Sequence, residues 1–189
     1  MPPQTLPLPL QHFVTAFKAV LQDSPTEADL LQRGGALLSE LIGKDDWLPE
    51  PFRRSGSDRY RQYLLYRDPT ARFSIVSFVW GPGQSTPIHD HTVWGLIGVL
   101  QGTELAQRFA REASGRLEPQ GPPELLRAGR IDAVSPRIGD IHQVSNGSPD
   151  SVSISIHVYG ADIGAVSRHV FRADGTTQDF ISGYSPLEA

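Results

Sequence analysis

Apolar residues recur at helical spacing near the start of the chain and at strand spacing after it. Leu10, Phe13, Val14, Phe17, Val20 and Leu21 fall three or four apart and predict one amphipathic helix. Ser24-Pro25-Thr26-Glu27 predicts the start of a second, with Ser24 as N-cap, Pro25 in the first helical position and Glu27 closing a capping box. Leu30, Leu31, Leu37, Leu38, Leu41 and Ile42 continue it, and Gly43 is placed to stop it. Gly34 and Gly35 either weaken this helix or admit the close approach of another element. From about Tyr60 the texture changes to short β-rich runs punctuated by Gly, Pro and Asp. Predicted strands cover Tyr60–Tyr66, Phe73–Trp80, Trp94–Leu100, Glu104–Ala110, Ile131–Val134, Val152–Tyr159 and Arg168–Phe171. Glu118–Pro123 reads as a loop between strands. Many short strands with turn signals between them predict a sandwich or small barrel. No solenoid repeat, low-complexity tract or linker divides the chain. A helical cap (residues 10–43) is therefore expected on a strand-rich part (about 60–184), as one domain over residues 1–189.

Composition narrows the partners. Seventeen basic against 21 acidic residues give a net charge of −4, which gives no support to nucleic-acid or membrane-surface binding. The chain has no cysteine, so disulfides, thiolate metal ligands, iron–sulfur clusters and cysteine nucleophiles are excluded. No apolar run approaches the ~18–20 residues that span a bilayer. Met1-Pro-Pro-Gln-Thr5 has no basic region before an apolar core, so a cytoplasmic location is expected. A monomer or small homo-oligomer is the expected state.

Six histidines carry the first chemistry. His89 and His91 are two residues apart in a β context, so their rings point to the same side. They make half of a metal site. Asp90 between them is expected at a turn or the surface. His142, in the turn-like segment Gly139-Asp-Ile-His142-Gln-Val-Ser-Asn146, is a third candidate. Zinc, iron, nickel and copper all accept such nitrogens. His12 and His169 have no ligand-like partners and read as structural or exposed. In Val152–Tyr159, Val152, Ile154, Ile156 and Val158 alternate strictly with Ser153, Ser155, His157 and Tyr159. One face is apolar; the other is either half-exposed to water or a serine–imidazole–phenol relay aimed into a pocket. It is not a hydrolase triad, because no carboxylate partner is in evidence to orient the imidazole and there is no nucleophile elbow. Trp80, Trp94 and Phe180 are candidate core or pocket wall. Arg53, Arg54 and Arg59 read as a solvated cluster.

The spacing of Gly83, His89, His91, Gly95 and Gly102 resembles the first cupin motif, with Gly95 where that motif carries glutamate. Gly139, His142 and Asn146 resemble the end of the second motif, whose upstream proline is shifted by one to Pro136. The resemblance implies a mainly β fold, a cupin double-stranded β-helix (jelly-roll barrel) with an N-terminal helical cap. Losing the glutamate leaves a neutral three-histidine face. Ser155, His157 and Tyr159, together with Ser74–Thr92 and Tyr60-Arg61-Gln62-Tyr63-Leu64, are similar to motifs of the cysteine dioxygenase and wider thiol dioxygenase family over about Leu10–Tyr184. That likeness implies Fe(II) on His89, His91 and His142, and Tyr159, His157 and Ser155 as the outer catalytic group. It implies Gln62 and Arg168 as substrate contacts, and dioxygen and a small thiol carboxylate as substrates. Gln62 stands where cysteine-specific members carry arginine, and the tyrosine crosslink of those members has no cysteine to form it. The chain therefore resembles the bacterial Gln-type branch, which commonly prefers 3-mercaptopropionate. Cysteine as substrate, a non-catalytic metal-binding cupin that senses a small ligand, and a zinc or nickel cupin isomerase or hydrolase are the alternatives.

Overall fold

A computed structural model describes residues 6–172, 174 and 176–187. Met1–Thr5, the stretch read for a leader, lies outside the described residues. Helices α1 (Leu8–Gln22) and α2 (Glu27–Leu41) come first. The strands follow: β1 (Arg61–Arg67), β2 (Ser74–Trp80), β3 (Ile88–His89), β4 (Gly95–Gln101), β5 (Thr103–Arg111), β6 (Leu117–Pro119), β7 (Glu124–Arg127), β8 (Ile131–Val134), β9 (His142–Asn146), β10 (Ser153–Tyr159), β11 (Arg168–Phe171) and β12 (Thr177–Phe180). No helix among the described residues is long and apolar enough to cross a membrane.

The strands form two antiparallel sheets. One runs β1-β2-β10-β4-β8; the other runs β12-β11-β3-β9-β5-β6, with β7 also on β5. The chain crosses repeatedly between them, which gives the expected mainly β double-stranded β-helix. The apolar faces of α1 and α2 cover the outside of the five-stranded sheet. There Leu10, Phe13, Phe17 and Leu38 pack against Leu96, Ile154, Ile156 and Val158. A second cluster, Val76, Phe78, Trp80, Val144, Tyr159 and Ile163, fills the space between the sheets. The helices lie close because two glycines let them. A Cβ on Gly34 would stand 2.7 Å from the Phe17 ring, and one on Gly98 would stand 3.0 Å from Leu38 and Ile42. Gly35 makes no such close approach, since its Cβ would meet only ordinary contacts.

Several expectations need correction. The cap of α2 is Thr26: its hydroxyl accepts from the Asp29 N–H at 3.2 Å and donates to the Asp29 carboxylate at 2.6 Å. Ser24 instead takes a left-handed turn at φ 50°, and Pro25 precedes the cap. Part of the Glu118–Pro123 loop is strand, with Glu118 and Pro119 paired to β5. His142 starts strand β9 rather than lying in a turn. Arg53 does not belong to a solvated cluster. Its guanidinium donates to the Asp45 carbonyl at 2.6 Å and to Gln101 at 2.8 Å, bracing the helical cap to the end of β4.

Candidate metal centre and adjoining cavity

One strand pairing and one loop bring the histidines together. His89 ends β3 and stands opposite His142 in the β3–β9 ladder, so cross-strand pairing alone makes these rings neighbours. His91 follows in a tight loop held by one carboxylate. Asp140 accepts from the backbone N–H of His91 at 3.1 Å and of Thr92 at 2.8 Å, and from the His91 ring Nδ1 at 3.0 Å. These bonds hold Thr92 at φ 59°, a left-handed conformation that a β-branched residue rarely adopts. The ring centroids are 4.8, 4.8 and 4.9 Å apart, and the ligating nitrogens all lie within 4.8 Å of one another.

The donor set fits a cation. His89 Nδ1 bonds the Pro87 carbonyl at 3.0 Å and His91 Nδ1 bonds Asp140, which leaves Nε2 of each ring as a free lone pair. Burial lowers the His89 imidazole to a pKa of about 3 and pulls His142 well below the usual range, so both are neutral. Burial alone would raise the Asp140 carboxyl, but its hydrogen bonds to His91 and Thr92 hold it below the usual range. Asp140 therefore stays an anion that orients His91. Asp90 is likewise buried, not a surface turn. It accepts from the His169 N–H at 2.8 Å and pairs with the His169 ring at 2.7 Å, pinning the His89–His91 loop to β11. His169 is structural, as expected, and His12 is exposed.

β10 carries the second half of the site. Its strict alternation sends Ile154, Ile156 and Val158 to the helices and Ser153, Ser155, His157 and Tyr159 between the sheets. Both faces are buried, so the half-exposed alternative does not hold. Ser155 Oγ and His157 Nε2 are 2.8 Å apart, and His157 Nδ1 and the Tyr159 hydroxyl 2.7 Å. Phe78 stacks on the His157 ring at 4.2 Å, and the Tyr159 ring stacks on His91 at 5.3 Å. Burial keeps His157 neutral and Tyr159 a phenol far above neutral pH. Gly95 faces this ring: a Cβ there would lie 2.8 Å from two Tyr159 ring carbons.

His89, His142, His157, Tyr159, Arg168 and Gln62 all line one cavity of about 500 Å³. Arg168 is 4% exposed and is the buried cation of that wall. It lies over the Phe180 ring at 4.6 Å and donates to Ser182 at 2.7 Å. Its Nε has no hydrogen-bond partner, and no carboxylate among the described residues pairs with it. The Gln62 amide donates to the Gly183 carbonyl, and its backbone pairs with Ser185 at 2.8 Å, closing one wall with the C-terminal segment. Of the residues expected as core or pocket wall, Trp80 and Phe180 line the wall and Trp94 packs against Phe17 in the outer core. Arg59, 78% exposed, stands at the mouth. Sequence reasoning missed Asp140, Asp90 and Glu104 as site-shaping groups; Glu104 is fully buried beside Ser153. Asp140 lies within the segment already singled out for His142, which was its one signal.

The fold and the site define a β-barrel protein with three clustered histidines that could hold a metal ion, two of them, His89 and His142, on the wall of a cavity. Residues 52–171 match the profile of the family described as cysteine dioxygenase type I, and the chain belongs to that family. Among curated proteins it is similar to cysteine dioxygenase type 1 of Danio rerio, 26% identical over 118 residues, 60% of this chain. The chain spans 56% of that relative's length. Solved structures similar to it include a double-stranded β-helix protein from Klebsiella pneumoniae (19% identity, 60% of this chain and 87% of that one, TM-score 0.47). Another is a cupin superfamily protein from Desulfitobacterium hafniense (15% identity, 61% and 90%, TM-score 0.45).

Proposed function

We propose that this protein is a thiol dioxygenase that adds both atoms of O2 to the sulfur of a small thiol carboxylate, most suitably 3-mercaptopropionate. The balance is RSH + O2 → RSO2H: sulfur gives up four electrons and dioxygen takes them. His89, His91 and His142 would hold Fe(II), which supplies one-electron chemistry toward dioxygen and an anchor for the thiolate. Family membership and the neutral donor set support this choice of metal and reaction.

The residues of the chain do the rest. Arg168 would bind the substrate carboxylate. A buried guanidinium with no protein anion is costly alone and gains most from an anionic ligand, by a fork-to-carboxylate hydrogen bond. This unpaired cation, on the same cavity wall as the histidines, is the observation that carries the substrate class. Tyr159 stays protonated and can donate a hydrogen bond into the cavity, with His157 and Ser155 fixing its direction. Gln62, neutral and tied to the C-terminal segment, shapes the wall rather than adding charge. Phe78, Trp80 and Phe180 exclude water.

Cysteine differs from 3-mercaptopropionate by an α-ammonium. The sole carboxylate lining the cavity among the described residues is Asp58, which is 64% exposed at the mouth. A buried ammonium would find no anion, which supports 3-mercaptopropionate. The name of the family favours cysteine as the second reading. Oxygen uptake by the Fe(II)-loaded protein with each thiol tests both: uptake is expected with both, with the larger kcat/KM for 3-mercaptopropionate. No thiol-dependent uptake with either substrate would remove the proposal, and a ratio favouring cysteine would select the second reading.

A further inference from the structure

Ser182 lies just past β12, in the segment that runs from Phe180 to the edge of β1. It is half-buried and lines the cavity that His89, His142 and Arg168 share. Its Oγ accepts from Arg168 Nη2 at 2.7 Å. A serine hydroxyl has one hydrogen and two lone pairs, and the guanidinium occupies one lone pair. The hydrogen has no acceptor among the described residues. Ser182 therefore brings an unused donor to the same wall as the unpaired cation.

The fold holds both groups in place. Arg168 opens β11 and stands directly opposite Phe180 in the β11–β12 ladder, which sets its guanidinium over that ring at 4.6 Å. Ser182 takes one of its five N–H donors, and Nε has no partner. Asp90, a carboxylate whose field reaches Arg168, is engaged by His169 through both oxygens. The chain is fixed on each side of Ser182. Phe180 is in the ladder. Gly183, at φ 60°, donates its N–H to the Gly164 carbonyl at 3.0 Å and accepts from the Gln62 amide. The Tyr184 hydroxyl accepts from the Gly164 N–H at 3.0 Å, and the Ser185 N–H donates to the Gln62 carbonyl at 2.8 Å. The segment thus joins β12 to β1, the end strands of the two sheets. A hydroxyl carried between such anchors has little freedom to move away from the arginine.

We propose that Ser182 is a substrate-binding residue whose hydroxyl donates to the carboxylate that Arg168 holds, so that one guanidinium and one hydroxyl form a mixed clamp. The clamp rests on the thiol carboxylate reading of the cavity and adds a residue to it. A carboxylate has two oxygens and about four lone-pair sites, so it accepts from both groups at once. A hydroxyl that already accepts from a cation is polarised and donates more strongly. A thiol without a carboxylate uses neither group.

The test measures thiol binding without turnover. The full chain is loaded with Co(II), kept free of oxygen, and titrated while the thiolate-to-cobalt absorption band is followed. The probes are 3-mercaptopropionate and 1-propanethiol, which differ by a carboxylate in place of a methyl group. The wild type is expected to bind 3-mercaptopropionate the more tightly. Ser182→Ala is expected to raise its Kd about tenfold, leaving the Kd of 1-propanethiol and the melting temperature unchanged. Ser182→Thr keeps the hydroxyl and is expected to stay within about threefold of wild type. In the Fe(II)-loaded protein, Ser182→Ala is expected to raise KM for 3-mercaptopropionate and spare kcat. An unmoved Kd in Ser182→Ala, an equal rise for both thiols, or the full rise in a Ser182→Thr chain of unchanged melting temperature would overturn the proposal. If the Kd pattern holds and neither thiol carboxylate is oxidised, the dioxygenase reading fails and the clamp stands. If oxidation proceeds and Ser182→Ala weakens both probes alike, the clamp alone fails. No thiolate band in the wild type removes both.

Discussion

Outward from β10, Ile154, Ile156 and Val158 meet the helices; inward, Ser153, Ser155, His157 and Tyr159 meet one another. The two faces are equally dry. The outer face is held by area and shape, which tolerate exchange of one apolar group for another of similar volume. The inner face is held by hydrogen bonds, where a missing partner leaves a buried polar group at a cost of ~1–3 kcal/mol. The same strand is thus forgiving on one side and exacting on the other. The chemistry sits where the strand is exacting.

That contrast can be broken at several points. His142→Ala should have the largest effect: metal retained after dialysis falls to background, and oxygen uptake with it, while the melting temperature of the metal-free chain barely moves. Phe17→Ala, on the outer side, should do the reverse. Phe17 is fully buried against Phe13, Phe73 and Trp94, so stability by urea unfolding should fall by about 3–5 kcal/mol while metal content holds. A pH series sharpens the inner side. The Glu104 carboxyl titrates near 7 when folded, against 4.5 as its unperturbed value. Between those values the folded state binds more protons than the unfolded one, so this group makes stability fall as pH rises from about 4.5 to 7. The loss is on the order of 3 kcal/mol. Glu104→Gln should remove it, so that variant and wild type diverge at pH 8 and not at pH 4.5. Tyr159→Phe should leave fold and metal content intact and lower kcat by about 100-fold, read by oxygen uptake. Arg168→Gln should raise KM for a thiol carboxylate more than it lowers kcat.

The sequence made the outer face and the long strands legible because each is a local pattern. Helical spacing placed α1, and period-2 alternation placed β2 and β10 within a residue. The histidines were legible because their spacing resembles known motifs. The two shortest strands were not. β3 has two residues and β6 three, too few for any period, and they exist because the neighbouring strands pair with them. The α2 cap slipped by two because Ser24 and Thr26 are both good caps, and Asp29, three residues past Thr26, decides between them. Asp140, Asp90 and Glu104 were missed for a different reason. Each acts across the fold, on Thr92, His169 and Ser153, and no window along the chain contains such a pair.

The contact between Gly95 and Tyr159 has a consequence for what this protein can become. A side chain at position 95 and the aromatic ring at 159 claim one volume. Introducing any side chain at 95 would displace the phenol ring, and replacing the phenol alone would open a void beside Gly95. Neither step is neutral, so the two sites cannot be walked separately through sequence space. A side chain at 95 and the phenol at 159 exclude one another, and this chain carries the phenol.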